Sequence, residues 1–122
     1  NIVVGDQVPK SEVGKLMCKS AGLLIFYSDC FERYIPGKFY DYLASGRPII
    51  CFGSEGEVPE ILRELKTGFL VPEEDDYILE KTLDNLIDKP LSINDEKVEN
   101  WLNTYTRENM AKKFYKIITD LH

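Results

Sequence analysis

Hydrophobic residues in this chain form short continuous runs, and the segments between the runs are patterned like helices. Three runs, at 23–27, 49–52 and 68–71, are almost wholly apolar over four or five residues. Such runs are typical of strands that are buried on both faces of a parallel sheet. A β-branched run at 2–4, closed by Gly5, predicts one more strand ahead of them. The pattern therefore predicts about four strands.

The intervening segments carry apolar residues at helical spacing. One helix is predicted after Pro9, a second from Gly37 to a stop at Gly46, and a third around Pro59. The acidic run 72–76 is typical of a helix N-terminus, and a helical C-terminal extension follows it. Alternating strands and helices predict a Rossmann-like α/β fold, with a parallel sheet and helices on both faces. No linker or repeat divides the chain, so residues 1–122 are predicted to form one domain.

Composition and charge argue against several classes of function. A net charge of −6 provides no basic stripe for nucleic acid and no polybasic patch for a membrane. An odd count of three cysteines, with Cys51 inside a predicted strand, predicts free thiols and a cytoplasmic location. The one histidine is His122 at the terminus, so neither a zinc site nor a Ser-His-Asp triad is predicted. No G-x-G-x-x-G follows a strand, which argues against classical hydride transfer.

Candidate chemistry is concentrated at the start of the second predicted helix. This helix follows a strand, so it begins at the carboxyl edge of the sheet, where α/β folds bind ligands. The backbone N–H groups from Gly37 to Phe39 and the positive end of the helix dipole favour an anion there. Gly37 lets a phosphate approach closely, and Lys38 and Arg33 add positive charge for a diphosphate. The alternative is an ordinary helix start with solvated basic residues.

Two carboxylates accompany this anion site. Asp41 lies one turn beyond Lys38 on the same helix face, where it could accept hydrogen bonds from a ribose diol. The alternative for Asp41 is a surface pair with Lys38, worth a few tenths of a kcal/mol. Glu32, in the preceding loop, is a candidate for a contact to a sugar hydroxyl, and the alternative is a solvated loop acid.

Several blocks of the sequence, in the same order, resemble the donor-binding domain of GT-B-fold glycosyltransferases of the group 1 (family 4) type. The resemblance covers nearly the whole chain, and its main blocks are Pro36-x-Lys38-x-x-Asp41-Tyr42-Leu43-Ala44-Ser45-Gly46-Arg47-Pro48, Gly56-x-x-Pro59-Glu60-Ile61-Leu62 and Gly68-Phe69-Leu70-Val71. It implies a domain that binds a nucleoside-diphosphate sugar for transfer to an acceptor, with retention and with no metal or other cofactor.

The resemblance also implies roles for individual residues. In that family two acids eight positions apart contact the sugar and the ribose, and Asp41 occupies the second of these positions. Arg33 stands at the first position, and Glu32 lies one step further away, so this sequence departs from the family pattern there. The resemblance implies a ribose contact for Asp41.

By the same resemblance, the chain matches the latter part of a donor domain. The Arg and Lys that neutralise the diphosphate, and the N-terminal acceptor domain with its catalytic histidine, lie outside it. We therefore expect the isolated chain to be inactive, with the acceptor domain as its partner and with any attachment to the inner membrane face made through that missing part. Two alternatives stay open: a GT-B-fold epimerase or phosphorylase, and a non-enzymatic flavodoxin-like signalling module.

Overall fold

The fold is an α/β sandwich built on a parallel sheet of three strands. The computed structural model describes residues 3–27, 35–53, 55–72, 74–89, 91–104 and 107–120. Within these ranges the strands are β1 (Leu23–Phe26), β2 (Ile49–Phe52) and β3 (Gly68–Val71), in the spatial order β1-β2-β3. In the register Ile49 lies between Leu23 and Gly68. The Rossmann-like α/β class predicted from the sequence is confirmed.

Helices precede and separate the strands, and further helices follow them. They are α1 (Lys10–Lys19), α2 (Gly37–Ala44), α3 (Glu57–Leu65), α4 (Asp76–Asp88), α5 (Asp95–Thr104) and α6 (Arg107–Asp120). Pro9 and Pro36 immediately precede α1 and α2, as a fixed proline φ at a helix start favours. Asp75, from the acidic run, caps α4 by accepting a hydrogen bond from the Ile78 N–H at 3.0 Å. The sequence signals for helix starts are thus confirmed.

Both faces of the sheet are covered by helices, as predicted. On one face, α2, α3 and α5 pack over the sheet in a core made of Ile25, Tyr27, Phe39, Leu43, Ile49, Cys51, Val58, Ile61, Leu62, Leu65 and Val98. On the other face, a smaller cluster joins Ile50 and Val71 to Leu86 of α4. The alternation of side chains along β2 explains this division, because Ile49 and Ile50 point to opposite faces.

The expected strand at 2–4 is corrected by the structure. Val3 and Val4 have no strand partner and are 90% and 91% exposed, while Ile2 lies outside the described residues. A β-branched run forms a strand only where a sheet edge pairs with it and a core covers it, because β-propensity mainly measures packing. These two residues gain neither, so the described sheet has three strands instead of four.

Aromatic packing fixes the position of α2. The ring of Phe39 is fully buried and meets Trp101 of α5 edge-on, with 6.3 Å between the ring centroids. The adjacent Tyr40 ring stacks on the Trp101 ring, with 6.0 Å between the ring centroids. Aromatic pairs in these arrangements add about 0.5–1.5 kcal/mol each beyond their burial. The helix that carries the candidate site is therefore anchored to the core along one side.

Candidate functional site

The N-terminus of α2 differs from the N-termini of the two helices that follow the next strands. Pro36 precedes it without a side-chain cap, and its first turn contains no acid. By contrast, Glu57 and Glu60 lie in the first turn of α3, and Asp75 caps α4. Negative charge at a helix N-terminus offsets the positive end of the dipole. Among the residues that the structure describes, neither the N-cap nor the first turn of α2 provides such an offset, so this end remains attractive to an external anion.

The backbone donors at this end are those of Gly37 and Lys38. The Phe39 N–H, which the sequence places among the phosphate donors, already donates to the Pro36 carbonyl at 3.0 Å. The N–H groups of the first two helical residues have no acceptor within the helix. A Cβ placed on Gly37 would meet no atom within 4 Å, so the space beside this backbone is open. These two N–H groups are the backbone donors that the start of α2 can offer to an anion.

Lys38 and Asp41 share one side of α2, as their spacing predicts. Both side chains are exposed, and both line a groove of about 510 Å³ between α1 and α2. We call this the α1–α2 groove. Ala44 and Ser45 also line it, and the residues that line it from α1 are Lys10, Val13, Gly14, Met17 and Cys18. The structure thus brings the predicted phosphate and ribose residues into one groove.

The α1 wall was not predicted from the sequence. Lys10 lies in the first turn of α1 and adds a second cation to Lys38, while Val13 and Met17 supply an apolar surface. The sequence predicts a helix after Pro9, but the pattern does not show which element that helix packs against. The Arg47 side chain donates to the Cys18 carbonyl and so connects the end of α1 to the segment after α2.

The structure does not describe three of the other candidate residues, and it places the Phe39 side chain in the core. Glu32 and Arg33 belong to the segment 28–34, which lies outside the described residues, and so does Cys30. The side chain of Phe39 is in the core, where it supports α2. Burial raises the pKa of the half-buried Tyr42 phenol, which keeps this group neutral. Within the described ranges, no group of three or more His, Cys, Asp or Glu side chains could hold a metal ion.

Cys51 is predicted to be chemically inert in the folded protein. It is fully buried in β2, and burial raises the pKa of its thiol to about 11. The thiol is neutral below that pH, and the thiolate is the reactive form. At pH 8, labelling with iodoacetamide followed by peptide mass spectrometry should modify the exposed Cys18 and leave Cys51 unmodified until denaturant is added. Equal labelling rates for the two thiols in the native protein would contradict this burial.

Comparisons with known proteins identify no relative. No family model, no curated protein and no solved structure matches the chain. None of the helices described above is both long and apolar enough to cross a membrane.

Proposed function

We propose that this chain binds the nucleoside-diphosphate-sugar donor of a glycosyltransferase that transfers the sugar to an acceptor with retention. The observation that carries the proposal is the position of Lys38 and Asp41. They lie one turn apart in one open groove, at a helix start that has no cap and no acid of its own. The motif from Pro36 to Pro48, which resembles that of the family 4 enzymes, supports the same assignment.

In this proposal the diphosphate binds at the start of α2. The N–H groups of Gly37 and Lys38 donate to phosphate oxygens, and the Lys38 ammonium adds a charge-assisted contact. Asp41, one turn further along the groove, accepts hydrogen bonds from the ribose hydroxyls. Lys10 lies across the α1–α2 groove and contributes positive charge from the opposite wall.

These contacts suit a reaction in which a diphosphate leaves and negative charge develops on its oxygen. The bond between the anomeric carbon and the phosphate oxygen breaks, and the electron pair leaves with the diphosphate. The acceptor hydroxyl forms the new bond on the same face, and its proton passes to the departing phosphate oxygen. Backbone and lysine donors aimed at that oxygen stabilise the charge as it develops. The residues described in this chain supply charge stabilisation and positioning; the acceptor site is assigned to another part of the enzyme.

Two substitutions test the contacts directly. Lys38→Ala and Asp41→Asn should each weaken the binding of UDP or GDP, measured by calorimetry, by about tenfold, since one charged hydrogen bond contributes about 1.5–3 kcal/mol. Lys15→Ala and Asp88→Asn are the matched controls, because both residues are exposed and lie outside the groove lining. If the two site variants bind as tightly as the controls, the proposed contacts are wrong.

A further inference from the structure

The two helices that line the α1–α2 groove are held in the fold to very different degrees. Helix α2 is anchored, because its Phe39 and Leu43 side chains are buried in the core. Helix α1 contains no buried residue, and its two apolar lining side chains, Val13 and Met17, are only half-buried. Packing of an apolar face is the main contribution that fixes a helix in a domain. The position of α1 therefore depends on the other contacts that it makes.

A hydrogen bond joins the C-terminal end of α1 to the segment after α2. The Arg47 guanidinium donates it, and the Cys18 carbonyl accepts. At the same end of α1, the Leu16 and Met17 carbonyls accept instead from Ser20, from its hydroxyl and its backbone N–H respectively. A cationic donor at a helix C-terminus binds a carbonyl that lacks a partner within the helix, and it also interacts favourably with the negative end of the dipole. The contact made by Arg47 is therefore favoured by charge as well as by geometry.

The backbone of Arg47 is itself fixed by the turn that ends α2. Gly46, with a φ of +73°, follows the helix. The Ser45 hydroxyl accepts a hydrogen bond from the Arg47 backbone N–H at 3.2 Å and donates one to the Tyr42 carbonyl at 2.6 Å. Pro48, directly after Arg47, is buried, and β2 begins at the next residue. Arg47 therefore reaches α1 from a backbone position that is tied to both α2 and the sheet.

The other end of α1 carries Lys10. This residue begins the helix and lies about 12 Å from Cys18 along the helix axis, at a rise of about 1.5 Å per residue. Lys10 lines the groove from α1 and Lys38 lines it from α2, and both side chains are exposed. Among the described residues, no hydrogen bond or salt bridge joins Lys10 to α2. Like charges at one groove repel each other, and an anion bound between them offsets the repulsion.

We propose that Arg47 is a positioning residue for the nucleotide site, because it holds α1 against α2 and so places Lys10 opposite Lys38, at the diphosphate. The inference rests on the proposed function of this groove. Arg47 lies outside the described lining of the groove, so it acts through α1 and not through a contact to the ligand. Without the Arg47 side chain, α1 moves away from α2 more often and carries Lys10 with it. Lys38 keeps its position, because α2 is anchored in the core.

Distances between two nitroxide labels, measured by double electron–electron resonance without nucleotide, test whether Arg47 holds α1. The labels are attached at Lys15→Cys of α1 and Glu64→Cys of α3, two exposed positions outside the groove lining, with Cys18 and Cys30 replaced by serine. The chain with Arg47 should give one narrow distance distribution. Arg47→Ala should broaden it to about twice that width, because the end of α1 then detaches locally.

Two further variants control this measurement. Arg47→Lys should restore the narrow distribution, because an ammonium can donate to the same carbonyl. Lys19→Ala removes one positive charge from the same end of α1, outside the groove lining, and should leave the distribution narrow. Far-UV circular dichroism confirms that each variant is folded. A narrow distribution in folded Arg47→Ala would overturn the proposal, and so would equal broadening in Lys19→Ala.

A double-mutant cycle on UDP binding, measured by calorimetry, tests whether Arg47 acts through Lys10. Lys10→Ala and Arg47→Ala should each weaken binding by about tenfold, since both remove one charged contact to the diphosphate. The double variant should bind no more weakly than either single variant, because the same contact is lost. Lys38→Ala should weaken binding by the same factor with and without Arg47.

The two measurements separate this inference from the nucleotide proposal. If the native chain binds no UDP, the nucleotide proposal is wrong, and the label distances, which involve no ligand, decide by themselves whether Arg47 holds α1. If UDP binds and the effects of Lys10→Ala and Arg47→Ala multiply, the nucleotide proposal stands, and the assignment of Arg47 as a positioning residue for Lys10 is wrong.

Discussion

Gly53→Ala is expected to lower the melting temperature of this protein by about 15 °C, because a side chain cannot fit at that position. Gly53 follows β2 with a φ of +142°, a region that L side chains rarely adopt. A Cβ there would lie 2.2 Å from the carbonyl oxygen of Tyr27, which is backbone of the neighbouring strand segment. Unfavourable φ costs about 1–3 kcal/mol and overpacking about 1–3 kcal/mol more.

The matched control for this change is Gly14→Ala. A Cβ on Gly14 would meet no atom within 4 Å, and Gly14 lies inside α1, where alanine is favoured over glycine by about 0.5–1 kcal/mol. Thermal unfolding should therefore give a lower melting temperature for Gly53→Ala and an equal or higher one for Gly14→Ala. A Gly53→Ala protein that melts with the native one would show that β2 does not approach Tyr27 so closely.

Phe39→Ala is expected to reduce the free energy of unfolding by about 3–5 kcal/mol. The Phe39 ring is fully buried between the sheet and α5, so its removal leaves a cavity and also removes the edge-on contact with Trp101. Domains of this kind have about 5–15 kcal/mol of stability, so a loss of this size is severe. Urea unfolding at one fixed protein concentration measures it.

Two further variants define what Phe39 contributes. Phe39→Leu keeps most of the buried volume and should cost less than half as much as Phe39→Ala. Tyr77→Ala removes an exposed aromatic ring that contacts the Lys81 ammonium at 4.6 Å, and should cost no more than about 1 kcal/mol. If Phe39→Ala were as mild as Tyr77→Ala, α2 would not depend on this packing for its position.

The central part of the fold could be predicted from the sequence because its signals are local and strong. Continuous apolar runs predicted β1, β2 and β3 with ends within one residue of those observed, and Gly46, with a φ of +73°, follows α2 as the predicted stop. The run at 2–4 is also continuously apolar, yet Val3 and Val4 remain exposed. Strand formation there depends on a partner edge, which no local pattern encodes.

The candidate site was predictable only in part for a related reason. Helical spacing places Lys38 and Asp41 on one side of α2, and both do line one groove. The opposite wall, with Lys10 and Met17, depends on how α1 packs against α2, which is a tertiary contact between distant residues. The hydrogen bond that the Phe39 N–H donates to the Pro36 carbonyl likewise depends on the detailed geometry of the helix start.

An NMR titration of the ¹⁵N-labelled chain with UDP and GDP tests whether the start of α2 binds a nucleoside diphosphate. The largest shifts should fall on the amides of Gly37, Lys38 and Asp41. UMP, which lacks the second phosphate, should produce smaller shifts at Gly37 and Lys38. Shifts that are absent from α2, or that are equally large for UMP and UDP at its first two residues, would contradict the account.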